Sequence, residues 1–149
     1  MNIETIPIGE RSFHDNAVYG FSLSDENPDE GTAMLSFDID HILEWIKVGS
    51  TFKYRIARAT LRFHGVFGLK FSLDYAAATA AVSAFEISSI DRNAVQGPHS
   101  EEIHWRIPIS CPQGEITFMA DDWSLEFTGP VVECDRMSLG RPLESASAA

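Results

Sequence analysis

Apolar side chains recur at every second position through most of this chain, and that alternation restricts the fold more than any other feature. Successive side chains of a β-strand point to opposite faces of a sheet, so each run predicts a strand with one buried face. The sequence therefore predicts about eight strands. The runs cover residues 17–23, 33–39, 59–63, 69–75, 85–87, 103–109, 116–120 and 123–127.

Short segments rich in Gly, Pro, Asp and Asn connect these runs, as at residues 25–31, 96–100 and 111–114. Such connections suit neighbouring antiparallel strands, because parallel strands need long crossovers. The predicted fold class is mainly β: an antiparallel β-sandwich or a rolled barrel, with one or two short helices.

Two segments interrupt the alternation. The apolar residues of the segment 42–46 have helical spacing, with Asp40 as a suitable N-cap and Gly49 as a suitable end, so a short helix is predicted there. The alanine-rich residues 76–81 favour either a helical crossover or the end of a strand.

The chain of 149 residues has the length of one domain, and its 44% hydrophobic content can form a sizeable core. We predict a single β-rich domain over residues 1–137. Residues 138–149 are mainly small and polar with no apolar period, so they are predicted to form a disordered C-terminal tail.

One face of the alternating runs is predicted to form the core. The tryptophans Trp45, Trp105 and Trp123 fall in apolar phases of their segments and are interpreted as core anchors. The other predicted core residues are Phe21, Leu35, Phe37, Leu61, Phe63, Phe71, Leu73, Ile107, Phe118 and Leu125.

The formal net charge is −11, and the eleven Lys and Arg residues are scattered along the sequence. Nucleic-acid binding needs a basic stripe, so neither nucleic acid nor an anionic membrane surface is an expected partner. Solubility alone explains such a charge, but an acidic surface also suits a basic protein partner.

The residues Met1–Glu10 lack the features of a signal peptide, and no apolar stretch has the roughly 18 residues of a membrane span. We therefore expect a cytoplasmic protein with reduced thiols. Whether Cys111 and Cys134 pair is left open by the sequence.

His14 and Asp15 precede the first predicted long strand and are candidate binding residues. A histidine beside a carboxylate can bind a metal ion or act as a base. Adjacent residues of an extended chain point in opposite directions, however, which favours a local role in the entry turn.

The densest group of candidate ligands consists of Asp38, Asp40, His41 and Glu44. The two aspartates share a strand face, and His41 and Glu44 would share a face of the predicted helix. A metal site needs several converging ligands. The competing interpretation is a polar strand face with cross-strand charge pairs and a capped helix start, so no metal or other cofactor is predicted.

Catalytic motifs are absent from the sequence. It contains no Gly-x-Ser-x-Gly, no phosphate-binding loop and no His-Glu-x-x-His. The acidic segment 25–31 fails the calcium-loop pattern, because Glu30 stands where Gly is required and Ser36 where a bidentate Glu is required. No catalytic residue is predicted.

The opening Ser12-Phe13-His14-Asp15, followed by the first predicted strand, resembles that of several small bacterial β-rich domain families of unknown function. The segments 35–45 and 114–120 fit the same resemblance. Some β-rich families with such an opening occur among the immunity proteins of bacterial toxin systems. The resemblance implies a bacterial origin, and it assigns no catalytic residue.

Two functional hypotheses follow. The first is a non-enzymatic binding or interaction module, immunity-like, whose acidic surface meets a basic partner; an unpaired sheet edge would also make a homodimer easy to form. The alternative is a small metal-dependent enzyme or metal-binding protein that uses the four candidate ligands at residues 38–44. An enzyme should have a pocket with convergent polar groups, and an interaction module a broad acidic or apolar patch.

Overall fold

The structure, a computed structural model, describes residues 3–4, 12–76 and 84–141. These residues form one sheet of ten strands, and every pairing is antiparallel. The mainly β, antiparallel prediction is confirmed. The strands are β1 (Ile3–Glu4), β2 (Ala17–Asn27), β3 (Thr32–Val48), β4 (Thr51–Leu73), β5 (Phe85–Ile87), β6 (Asp91–Gln96), β7 (Glu101–Cys111), β8 (Gly114–Met119), β9 (Asp122–Phe127) and β10 (Val132–Cys134).

Six of these strands close into a barrel. The order β4-β3-β2-β5-β7 is completed by β8, which pairs with both β7 and β4. Of the two predicted architectures, the rolled barrel is therefore the one that forms. The other strands extend it: β9 and β10 pair with β4, β1 pairs with β9, and β6 pairs with β7.

Strand β4 makes the closure possible because its two parts pair with different strands. These parts are the two runs that the alternation predicts as separate strands. Gly65 and Gly68 have φ values of +67° and +62°, a conformation that glycine adopts without steric cost. Before these glycines β4 pairs with β3 and β9, and its last residues pair with β8. The two glycines thus redirect one long strand from one part of the barrel wall to the other.

The core lies on the inner face of the barrel. Leu35 and Phe37 of β3 lie opposite Phe63 and Leu61 of β4, and the ring of Phe63 is 5.0 Å from that of Trp105. Most of the predicted core is confirmed, because these residues are fully buried together with Ile107, Phe118 and Leu125. The predicted core residues Phe71 and Leu73 and the predicted anchor Trp123 are partly buried against the same cluster.

Phe21 was predicted to lie in the core, and that prediction is wrong, because its side chain is 50% exposed. It shares a face with Phe37, its partner in β3, but β2 pairs with β5 only at Ala17 and Val18. Alternation selects the correct face of the strand, and the described chain leaves that face partly uncovered at Phe21. Its ring stacks on Phe71 with 4.5 Å between centroids.

The helix predicted over residues 42–46 is wrong, because β3 continues to Val48. Ile42 lies opposite Ile56 and Trp45 opposite Tyr54, with a register shift between Ile42 and Glu44. This bulge inserts one residue and puts Ile42 and Trp45 on the same face at a spacing of three, which imitates a helical period. Among the described residues there is no helix, and hence none that is long and apolar enough to cross a membrane. The second helical candidate, residues 76–81, lies almost wholly outside the described residues.

The chain after β10 crosses the outer face of the barrel, and we call residues 135–141 the strap. Leu139 donates its backbone N–H to Asp40 of β3 at 2.7 Å, and Gly140 donates to the Tyr19 hydroxyl of β2 at 2.9 Å. These contacts correct the predicted start of the tail at Ser138. The rest of the predicted tail, residues 142–149, lies outside the described residues.

Replacing a covered and an uncovered phenylalanine of the same sheet face should show how much coverage contributes to stability. Phe37→Ala is expected to lower the free energy of unfolding by about 3–5 kcal/mol, because it leaves a cavity in the core. Phe21→Ala should cost only about 1 kcal/mol, the stacking contact with Phe71. Urea denaturation followed by tryptophan fluorescence measures both, and equal losses would contradict the difference in burial between Phe37 and Phe21.

Candidate functional site

Asp40 is a buried carboxylate whose charge is balanced by the strap. Its side chain is 0% exposed. One oxygen accepts hydrogen bonds from the Tyr19 hydroxyl at 2.8 Å and the Leu139 N–H at 2.7 Å, and the other accepts from Arg141 at 2.8 Å. A buried charge is tolerated only when it is paired and hydrogen-bonded, so Asp40 depends on the docked strap.

Arg141 links the strap to both aspartates of β3. Its Nε and Nη2 donate to the two carboxylate oxygens of Asp38 at 3.1 and 2.9 Å, and its Nη1 donates to Asp40. Further bonds go to the carbonyls of Ile39 and Gly140, and the guanidinium lies 4.1 Å from the centre of the Tyr19 ring. All five N–H donors of an arginine can be used in this arrangement.

The same contacts set the protonation state of Asp38. Partial burial alone would raise the pKa of Asp38, but the hydrogen bonds and charge of Arg141, supported by Arg58, lower it below its ordinary value. Arg58 contacts both carboxylate oxygens at 3.3 Å. Asp38 is therefore an anion held by two guanidinium groups.

The structure does not bring the four predicted ligands of residues 38–44 to one point. Asp38 and Asp40 face the strap, whereas Glu44 pairs with Arg55 at 3.3 Å. Within residues 3–4, 12–76 and 84–141, no group of three or more His, Cys, Asp or Glu side chains could hold a metal ion. The oxygens that would bind a cation are instead bound by arginines.

His41 lies on the other face of β3, in the barrel interior. The Asn16 amide oxygen accepts the backbone N–H of Ile42 at 3.3 Å, so its amide nitrogen faces His41 and donates to Nδ1 at 2.7 Å. The ring packs between Phe13 and Phe127, with centroids 5.0 and 6.2 Å away. Asn16, which is fully buried, is a partner that sequence reasoning missed.

His14 and Asp15 form the turn that leads into β2. Asp15 has a φ of +62° and donates its N–H to Ile87 at 2.8 Å, while His14 Nδ1 donates to the Ser88 carbonyl at 3.0 Å. The left-handed turn brings His14 Nε2 within 3.3 Å of the Asp15 carboxylate. The expectation that the two side chains diverge assumed an extended backbone. The backbone at these residues forms a turn instead, so the side chains lie close together.

A second site, missed by the sequence analysis, lies where β3 and β4 run beyond the barrel. Strand β2 follows β3 only to Asp40, and β9 follows β4 only back to Ala59, so residues 43–55 extend as a hairpin supported on one edge by β10. We call residues 43–55 the arm. Gly49, with a φ of +61°, lies in its two-residue turn.

Three aromatic side chains share the outer face of the arm. The Trp45 ring contacts Tyr54 and Phe52 edge-on, with centroids 5.1 and 6.1 Å apart. Trp45 is 40% exposed and Phe52 44% exposed. The prediction that Trp45 is a core anchor is therefore wrong, because the bulge places it on the outer face, where the ring of His14 stacks on it at 6.4 Å and leaves it partly exposed.

The arm also differs in charge from the rest of the chain. It contains Lys47, Lys53 and Arg55 and a single acidic residue, Glu44, within a chain of net charge −11. The opposite end of the β3–β4 pairing, where Ala33 lies opposite Val66, is acidic. The carboxylates there belong to Asp25, Glu26, Asp29, Glu30, Asp121 and Asp122.

Comparisons of this chain with known protein families and with curated protein sequences find no match.

Removing the strap's arginine should destabilise the whole domain. Arg141→Met leaves Asp40 buried without its cation, so the free energy of unfolding should fall by about 3–5 kcal/mol. The matched control is Arg55→Met, whose ion pair with Glu44 is half exposed at both partners and should contribute about 0–1 kcal/mol. Urea titration of both variants tests this. Equal stabilities of the two variants would show that the contacts of Arg141 do not stabilise the fold.

The lowered pKa of Asp38 gives a pH dependence with a definite sign. A carboxyl group with a depressed folded pKa contributes stability above its unfolded pKa, and that contribution is lost as the pH falls through the folded pKa. Between about pH 5 and pH 2 the wild type should therefore lose more stability than Asp38→Asn. Urea midpoints across this range measure the difference, and parallel curves would contradict it.

Proposed function

We propose that this protein is a binding module that docks onto a partner protein through the aromatic face of its arm. The observation that carries the proposal is the group of the exposed Trp45 and Phe52 and the partly buried Tyr54, on a hairpin that extends past the closed barrel. Tryptophan and tyrosine are enriched at the centres of protein interfaces, where they supply most of the binding energy.

The fold itself does not need these aromatic side chains. The core cluster is formed inside the barrel, and neither Trp45 nor Phe52 belongs to it. Their edge-on contacts hold the rings in place with respect to one another, so little side-chain freedom remains to be lost when a partner binds. An exposed, ordered aromatic face of this kind is typical of an interaction surface.

The charges around the arm indicate the chemistry of the partner. Lys47 lies on the aromatic face, opposite Phe52 across the hairpin, so a complementary surface has an apolar cleft with a carboxylate at its rim. The acidic residues at the far end of the barrel would repel such a partner, and this repulsion favours encounters in which the arm approaches first.

The hypothesis of a binding module is thereby tied to a particular surface. A basic partner for the acidic end, and a homodimer, stay predictions. The resemblance of the opening around His14 and Asp15 to families found among bacterial immunity proteins fits a protein that acts by binding. No observation on the described residues favours the metal-dependent alternative, because Arg58 and Arg141 neutralise Asp38 and Asp40.

Truncating the aromatic face should abolish binding without unfolding the domain. The test variant is Trp45→Ala with Phe52→Ala, and the matched control is Phe21→Ala, an equally exposed phenylalanine outside the arm. A partner retained from a lysate by the wild type is purified and titrated calorimetrically. We expect the double variant to weaken its affinity about 30-fold or more, and the control less than about threefold.

Charge reversal tests the chemistry assigned to the partner. Lys47→Glu should slow association with an acidic partner and weaken its dependence on salt. A partner that binds the double aromatic variant as tightly as the wild type would overturn the proposal. Self-association that the same variant abolishes would show that the surface binds a second copy of the chain instead.

A further inference from the structure

At the acidic end of the barrel, three side chains from three strands form a hydrogen-bonded relay. His64 of β4 donates from Nδ1 to a carboxylate oxygen of Glu26 at 2.8 Å, and its Nε2 lies 3.4 Å from the Ser124 hydroxyl of β9. The second Glu26 oxygen accepts the backbone N–H of Gly65 at 2.6 Å. The order carboxylate, imidazole, hydroxyl is that of an activated serine nucleophile.

The sheet register accounts for this juxtaposition. Arg62 lies opposite Ser124, and His64 lies opposite Asp122, so Ser124 and His64 are diagonal neighbours on the outer face. Leu125, the next residue along β9, points into the core and confirms that Ser124 points outward. The left-handed conformation of Gly65 turns its N–H toward Glu26, which lies next to the last residue of β2.

The relay fixes where the protons lie. Because Nδ1 donates to Glu26, the neutral imidazole carries its lone pair on Nε2, toward the serine hydroxyl. The hydrogen bond from His64, followed by that from Gly65, lowers the pKa of Glu26 below its ordinary value. Glu26 therefore stays anionic, orients the ring and would stabilise the imidazolium that forms when Nε2 takes a proton.

A place for a substrate adjoins the serine. A depression of about 470 Å³ on the outer face of β2, β3 and β4 is lined by Ser36, Thr60 and Arg62, and Arg62 is the residue opposite Ser124. The Arg62 guanidinium donates to Glu126 of β9 at 2.9 Å, which ties the edge of the depression to the strand that carries Ser124.

We propose that Ser124, His64 and Glu26 form a nucleophilic serine site that accepts small carboxylic esters. Ser124 Oγ attacks the ester carbonyl carbon while its proton passes to His64 Nε2. The C–O bond then breaks, and the departing alcohol takes that proton, leaving an acyl-serine. A water molecule attacks the acyl carbon, gives a proton to Nε2, and the carboxylic acid leaves as the proton returns to Ser124. Ser124 and His64 are the catalytic residues, and Glu26 is a positioning residue.

This site is independent of the proposed binding surface, because it lies beside the start of β3, where Val66 pairs with Ala33, whereas the arm contains the end of β3. The 3.4 Å separation of Ser124 Oγ and His64 Nε2 is long for a strong hydrogen bond. Catalytic hydrogen bonds are often long in the free state and shorten when substrate binds.

A fluorophosphonate probe tests the site directly on the full chain. The serine oxygen attacks phosphorus, a P–O bond forms, the P–F bond breaks, and the proton leaves through His64 as fluoride departs. We expect one adduct by intact-mass spectrometry, located at Ser124 by peptide mapping and absent from Ser124→Ala. Ser110→Ala is the matched control, because Ser110 is an exposed serine of β7 whose hydroxyl donates to the backbone carbonyl of Glu86 at 3.5 Å and not to a histidine.

The pH profile separates a reactive relay from a merely structural one. Labelling of the wild type should increase as His64 loses its proton. The labelling rate of His64→Gln should be lower than that of the wild type by about 100-fold or more. Glu26→Gln should shift the profile to lower pH, since the imidazolium loses its carboxylate partner. Circular dichroism confirms that each variant is folded. No adduct at Ser124 at any pH, or equal labelling of folded His64→Gln, would overturn the proposal.

Discussion

Strand β4 pairs with β3, β8, β9 and β10, so the course of this one strand determines the rest of the architecture. Its two left-handed glycines redirect it around the barrel, in a backbone conformation that other residues adopt only with strain. A Cβ at Gly65 would meet the Asp121 carboxylate, and one at Gly68 would meet the Met119 side chain. The same bend that closes the barrel also aims the Gly65 N–H at Glu26. Closure and the acidic-end relay therefore both involve Gly65.

The sequence predicts the strands well because alternation is a local property. It predicts poorly which side chains are covered by other strands, because that coverage is not a local property. Leu35 and Phe37 were correctly identified as core residues from the alternation. They are covered because β4, opposite them, supplies Phe63 and Leu61. Phe21 has the same phase and remains half exposed, because β5 accompanies only the start of β2. The false helix over residues 42–46 arises from one bulge, which shifts the phase of an otherwise regular strand.

The candidate sites were harder to predict, because their members are brought together by pairings distant in sequence. Asp38 and Asp40 were correctly placed on one strand face, but their partner Arg141 is about a hundred residues away. It lies in a segment whose small polar residues suggested disorder, and it docks through charge and hydrogen bonds instead of apolar burial. The average charge of the chain likewise conceals a basic arm, and no sequence motif joins Glu26, His64 and Ser124.

The strap and the arm are connected through the outer face of β3 and β4. Ile42 and Ile56, opposite one another at the base of the arm, are buried although they point outward. The strap runs from β10, beside Tyr54, to Asp40, and so passes over this base. Detaching it would leave Asp40 as an unpaired buried charge, so the base of the arm is held in one arrangement. Because the base is rigid, the aromatic face is already ordered before a partner binds. Little affinity is therefore lost to ordering this face on binding.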